Sequence, residues 1–383
     1  MRKLNFIWIV LSALMLAGAC SRLEEQNAAL NIYVRLPEDV TTKAFTNSDW
    51  ATLFNRETRI NDLKIWVFLN ESTDGSLPAG KLLGYLEPKQ LNVVSGSVQK
   101  FTVLLDKEIA SKIKKVDVYV LANSRAIQMQ EIGKTTTSAE LEALTLSGNR
   151  FGIADNGAPT NTGVIDSEGL PYTAMGKGLT LSGSATNLSV ENGTLQLVRA
   201  VSKVQFVFSQ IKLPSGETPV PFEIKGLELD GGQIPEQEYL FKESSAPYKI
   251  GSDYVSRTLI FPNLPTKDDI AGNTNPSSYA YSSADTSQGY QDKIYDALVN
   301  GRLTGYAPCY LRESDKALKG RIRYTVGNST EKTLEFSMST STNEKFTRNS
   351  SWVLYFYINN NALSLSVSYA DWTSDGSYTI IGR

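Results

Sequence analysis

Forty acidic residues, two cysteines and no histidine set the chemistry open to this 383-residue chain. Without histidine there is no Ser-His-Asp or Cys-His catalysis and no His-ligated zinc or iron site. Cys309 alone cannot build a thiolate metal site and lacks its usual activating base, so it reads as a buried, inert side chain. Met175-Gly-Lys-Gly178 sets a lysine between glycines, but the phosphate-loop spacing of Gly, four residues, Gly-Lys-Ser/Thr is missing. So many acids always contain some carboxylate pair suited to glycoside hydrolysis, yet no pair stands out. Trp50, Trp66, Trp352 and Trp372 could stack on sugars. Trp66 and Trp352 lie in apolar runs, where core packing accounts for them. The reading is of a chain that is no enzyme and carries neither cofactor nor metal.

Cys20 has a different setting. Arg2 and Lys3 precede the apolar run Phe6 to Leu16, too short to span a bilayer as a helix, and Ala17-Gly18-Ala19 leads directly into the cysteine. A thiol at that place accepts a diacylglyceryl group before signal peptidase II cuts at its amino side. The expectation is a signal peptide over residues 1–19 and a lipoprotein beginning at Cys20. Cys309 then has no intramolecular partner, and core burial alone must stabilise the fold. At this length two domains are expected. The net charge of −2 and the lack of any basic run argue against nucleic acid as a partner.

The elements that must position these residues read almost throughout as strands. Leu30, Ile32, Val34 and Leu36 alternate with Asn31, Tyr33 and Arg35. Leu63–Leu69 is apolar on both faces, as a central sandwich strand would be. Further strands are expected over 101–105, 116–121, 195–198, 204–208, 222–229, 321–326, 333–336, 352–358 and 363–369. Helices are few: a turn or two capped by Asp106, one behind the capping-box spacing Thr137-Ser-Ala-Glu140, and Asp292 to Asn300. Residues 148–169 and 266–290 read as long polar surface loops, taken as tolerated insertions. The domain boundary is placed near 195, where the Gly- and Ser-rich segment 176–193 ends.

Two features remain. Leu30–Leu36 is an amphipathic strand between the lipid site and a polar stretch, Val40-Thr-Thr-Lys43-Ala44-Phe45, open to cleavage after a basic residue. At the far end Trp372 precedes an 11-residue tail containing Ser377-Tyr-Thr-Ile-Ile381, an apolar strand with no partner in sequence. Such a strand suits insertion beside another chain's edge.

On these residues the chain resembles the Bacteroidota fimbrillins, the type V pilins, and among them the short-fimbria major-subunit type. Cys20, with the acidic Glu24-Glu25 after it, is similar to the lipid site and surface-export tag of the precursor. Leu30-Asn-Ile-Tyr-Val-Arg-Leu36 followed by Thr42-Lys43-Ala44 resembles the removable first strand and its processing site. Ile60–Phe68 and Val118–Asn123 resemble the paired N-domain strands. Leu197-Val-Arg-Ala-Val-Ser-Lys-Val204 is similar to an Arg-Ala-x-Ala-Lys motif, with Ser202 where Ala is usual. Arg348-Asn349, Trp352–Ile358, Leu365-Ser-Val367 and Trp372 resemble the C-terminal signature. Lys43 stands where Arg is typical, so Arg35-Leu36 is the other possible cut.

The resemblance implies an all-β fold of two transthyretin-like β-sandwich domains with a few short helices: 44–194, and 195–383 with its donor strand at about 373–383. Residues 20–43 would be a propeptide carrying the removable strand Leu30, Ile32, Val34 and Leu36. The precursor would be held at the outer membrane by lipid and cut by a trypsin-like protease between Lys43 and Ala44. Tyr378, Ile380 and Ile381 of the next copy would then fill the vacated groove, giving a head-to-tail filament for adhesion. Partners would be other copies and accessory fimbrial subunits. Two other readings stay open: a surface glycan-binding lipoprotein, and a membrane-retained fimbrial anchor or a tip subunit.

Overall fold

The computed structural model describes residues 27–36, 57–72, 77–88, 91, 96–127, 132–147, 151, 168–212, 221–242, 252–339, 345–359 and 362–371. The fold is all-β with few helices. The first nine strands are β1 (Asn27–Arg35), β2 (Leu63–Leu69), β3 (Leu82–Leu86), β4 (Val98–Asp106), β5 (Lys115–Ala122), β6 (Thr145–Ser147), β7 (Tyr172–Ser184), β8 (Asn187–Gln196) and β9 (Val198–Arg199). All but β6 join one sheet path, β3-β2-β5-β7-β8-β1-β4, with β9 on β7.

The long strand β7 makes this path fold over on itself. Residues 172–180 pair with β5, and residues 181–184 pair with β8. The change of partner follows Gly178, whose φ of +62° a side chain would resist and whose N–H donates to Asp117 Oδ1 at 2.8 Å. The two ends of the path then meet at Gly84 of β3. A Cβ there would lie 2.4 Å from Val103 Cγ1 on β4, so only glycine allows this approach. Between the layers lies a core that includes Trp66, Phe68, Tyr119, Leu121 and the inward side chains of β1.

The remaining strands are β10 (Ser202–Ile211), β11 (Phe222–Leu229), β12 (Gln237–Tyr239), β13 (Leu259–Ile260), β14 (Gly272–Asn273), β15 (Thr304–Gly305), β16 (Cys309–Leu311), β17 (Leu318–Val326), β18 (Lys332–Met338), β19 (Ser350–Asn359) and β20 (Ala362–Asp371). One sheet runs β14-β10-β19-β20 with β15 and β16 also on β10; the other runs β13-β11-β17-β18. Phe206, Phe356, Phe336 and Trp352 belong to a second core. β10 and β19 are buried on both faces because their other face carries the helix α3 (Ser287–Val299), packed through Tyr290, Ile294 and Leu298 onto Val207, Val353 and Tyr355. The shorter helices are α1 (Lys107–Ala110), capped by Asp106, and α2 (Ser138–Ala143), with its Thr137–Glu140 capping box complete.

The Gly- and Ser-rich residues 176–193 form most of the β7–β8 hairpin, where glycine and serine serve the bend and the turn. The first core continues through Leu195, Leu197, Ala200 and Val201, past the boundary placed near 195. Residues 266–290 are no plain loop: α3 starts at Ser287, capped by Thr286 Oγ1. Within that stretch Tyr279, Tyr281 and Tyr290 pack against the sheet. Tyrosines in a polar-looking stretch carried more apolar area than their neighbours suggested. Met175–Gly178 lies in β7, with Lys177 paired to Glu142 at 2.9 Å, and forms no phosphate loop. Trp66 and Trp352 are buried in the two cores, and Cys309 is buried in β16.

Candidate functional site

The site is the slot that β1 fills. β1 is interior to its sheet, antiparallel to β4 on one side and parallel to β8 on the other. Its inward residues Ala28, Leu30, Ile32 and Val34 are fully buried, and Leu36 just beyond it is 1% exposed. Period-two alternation puts these five on one face, against Phe101, Val103 and Leu105 of β4 and Leu188 and Leu195 of β8. At the strand's ends Ala29 N–H donates to Thr186 O, Leu36 N–H to Ser97 O, and Leu197 N–H to Arg35 O.

Asn31, on the outer face, fixes the register. Its Nδ2 donates to Asn187 Oδ1 at 2.8 Å and Leu188 O at 3.2 Å, while its Oδ1 accepts from Thr102 Oγ1 at 3.0 Å. A slip by one residue would break all three bonds and turn the apolar face outward. The β8 wall is irregular. Asn31 lies opposite Ser189, but Tyr33 lies opposite Thr194, so β8 carries extra residues across one step of β1.

The structure thus brings Leu30, Ile32, Val34 and Leu36 together on one buried face, as their spacing predicted. Arg35 is half-buried at the paired end of β1, opposite Val98 and Gln196, and Leu36 is buried beside it. Cys20, Lys43, Ala44, Tyr378, Ile380 and Ile381 lie outside the described residues. β20, an edge strand of its sheet, ends at Asp371, just before the tail.

Two buried charge clusters lie where the halves meet, and sequence reasoning missed their acidic members. In one, Glu57 faces Lys203 Nζ at 2.7 Å and accepts from the Tyr310 hydroxyl. Burial works against the Lys203 ammonium, but the Glu57 carboxylate and Tyr295 outweigh it and hold Lys203 above its ordinary range. In the other, Arg348 lies 2.7 Å from Glu313 Oε1 and 2.8 Å from Glu238 Oε1, and donates to the Leu240 and Tyr239 carbonyls. Burial pushes the Glu238 carboxyl up to about 8, with Arg348 opposing. The β6–β12 pairing and the Tyr119–Phe241 ring contact at 5.2 Å complete the junction. Arg199, Lys203 and Arg348 stood out in the sequence as motif residues; Glu57, Glu238 and Glu313 lie among polar neighbours that mark no core.

No family model and no curated protein matches the chain. Solved structures similar to it include a fimbrilin, FimA, from Porphyromonas gingivalis, with 13% identity and a TM-score of 0.48 over 91% of this chain and 99% of that one. The tip fimbrial protein Mfa3 of the same organism, C-terminally truncated, gives 13% and 0.45 over 90% and 100%. A fimbrial assembly protein from Parabacteroides distasonis gives 11% and 0.45 over 93% and 100%. All three bear fimbrial descriptions.

Proposed function

We propose that this chain is a structural subunit of a surface fimbrium, made as an outer-membrane lipoprotein and polymerised by exchange of its first strand. The observation that carries the reading is the placement of β1. An N-terminal strand, separated from the next described residue by the span 37–56, supplies a full row of core side chains to an interior position of its sheet. Burying Leu30, Ile32, Val34 and Leu36 is worth about 1.5–3 kcal/mol each, or on the order of 6–12 kcal/mol together. A folded domain has about 5–15 kcal/mol to spare. A cut in 37–56 therefore leaves β1 held only by non-covalent contacts, and its loss creates a groove that must be refilled.

The cut is placed between Lys43 and Ala44. The alternative between Arg35 and Leu36 lies in paired, buried backbone that a protease cannot grip without first opening the sheet. The refilling strand is the tail of a second copy, with Tyr378, Ile380 and Ile381 supplying apolar contacts. The partners are other copies and accessory fimbrial subunits. The contact is head-to-tail and does not close, so it propagates as a filament. Deleting Thr373–Arg383 is expected to abolish filaments and ladders of the trimmed protein while leaving each subunit folded. Replacing Ile380 and Ile381 by Asp acts alike, because a carboxylate has no partner in an apolar groove. Polymerisation of trimmed, tail-deleted protein would refute the assignment of the tail.

A further inference from the structure

One glutamate ties the groove wall to the other half of the molecule. Glu57 is 2% exposed. Its carboxylate meets Lys203 of β10 at 2.7 and 2.9 Å and the Tyr310 hydroxyl of β16. Its main-chain carbonyl accepts from the Tyr172 hydroxyl at 2.5 Å, and Arg199 Nε reaches the same oxygen at 3.5 Å. Tyr172 and Arg199 are themselves paired across β7 and β9. A single residue thus grips β7 and β9 through its backbone and β10 and β16 through its side chain.

This grip reaches Arg199, three residues along the chain from the least supported part of the wall. β7 pairs with β8 over Asn187–Val190, whereas Thr194–Gln196 take their ladder partners from β1. Past Gln196 the chain reaches Arg199 in three residues, and β10 begins at Ser202. With β1 in place, Thr194–Gln196 are held from the side by its ladder. With β1 gone, Leu195 keeps its core packing near Gly176 of β7, and the next ladder tie along the chain is β9 on β7, whose Tyr172–Arg199 pair the Glu57 carbonyl grips. A buried ion pair is a weak source of net stability, but its short, directional contacts hold geometry well.

We infer that Glu57 is a positioning residue for the groove: it keeps Thr194–Gln196 in the extended conformation that an incoming strand requires. The inference rests on the reading that β1 is removable.

The probe is a fluorescent synthetic peptide of Asn27–Leu36. Full-length protein is nicked with trypsin, the cut after Lys43 is verified by mass, and labelled peptide is exchanged for the resident strand. The variant E57A/K203M removes both ends of the pair, so no lone charge stays buried. The nicked parent takes up the peptide; the nicked double variant is expected to take it up at least tenfold more weakly. Hydrogen exchange at the 195–197 amides, where Leu197 N–H donates to Arg35 O, is expected to match the parent in uncut protein, and protection there is expected to return on peptide addition in the nicked parent but not in the nicked variant. E57Q, which keeps an acceptor for Lys203 and Tyr310, should recover part of the uptake. If the double variant fails to fold, Y172F, which removes only the hydroxyl grip, is read in the same way. Uptake equal to the parent, or lost protection at 195–197 in the uncut variant, overturns the inference alone. A nicked parent that takes up no peptide overturns the removable-strand reading, and the inference with it.

Discussion

Ile32→Ala tests whether β1 is core or ornament. Ile32 is fully buried opposite Phe101, in the middle of a strand bonded on both sides. Truncation removes its three outer carbons and leaves a cavity whose lining, Phe101 and Val103 among it, belongs to two rigid strands and cannot close fully. Such a change costs about 2–5 kcal/mol. Against a total of about 5–15 kcal/mol, that is a large fraction of the precursor's stability. The assay is urea unfolding of uncut precursor, read as a shift of the midpoint at unchanged slope. Lys100→Ala, exposed on the outer face of β4, is the control and should stay within about 0.5 kcal/mol. In protein already stripped of β1 and filled by a neighbour's strand, Ile32 is absent and the difference must vanish. A loss below about 0.5 kcal/mol in the uncut precursor would refute the reasoning, because it would mean that β1 is not part of the packed core.

Gly84→Val forces a side chain into Val103 and should cost about 1–3 kcal/mol in the same assay by parting β3 from β4. Glu238 has its carboxyl raised to about 8 by burial, so the folded state holds a proton there that the unfolded chain releases near pH 4.5. Its contribution is complete below that pH and is lost as pH rises toward about 8, at a slope of up to ~1.4 kcal/mol per pH unit. Glu238→Gln should flatten that slope in unfolding curves taken between pH 5 and 8.5. Thr286→Ala deletes the cap of α3 and should lower stability by about 1 kcal/mol, with the change in hydrogen exchange confined to the first turn of the helix.

Much of the scaffold was legible because strands announce themselves by period two. Leu63–Leu69 and Phe222–Leu229 match the observed bounds, and Leu30–Leu36 showed its buried face in sequence. Both short capped helices followed from the Asp106 and Thr137 side chains. Long-range pairing was not legible. Nothing local says that β1 enters between β4 and β8, or that it runs parallel to β8, since that choice depends on residues more than 150 positions away. The glycines of β7 and β8 gave no strand signal because local composition does not separate an irregular segment from a strand that must bend. The junction carboxylates were invisible for the same reason: Glu57 becomes a core residue only when Lys203 and Tyr310 arrive from the other half.

The central claim is that β1 leaves the subunit before assembly. The most direct measurement is the N-terminal residue and intact mass of the protein recovered from isolated surface filaments. The account predicts a chain beginning at Ala44, without lipid and without the strand Leu30–Leu36. Filaments built from chains that still begin at a lipid-bearing Cys20 would contradict it.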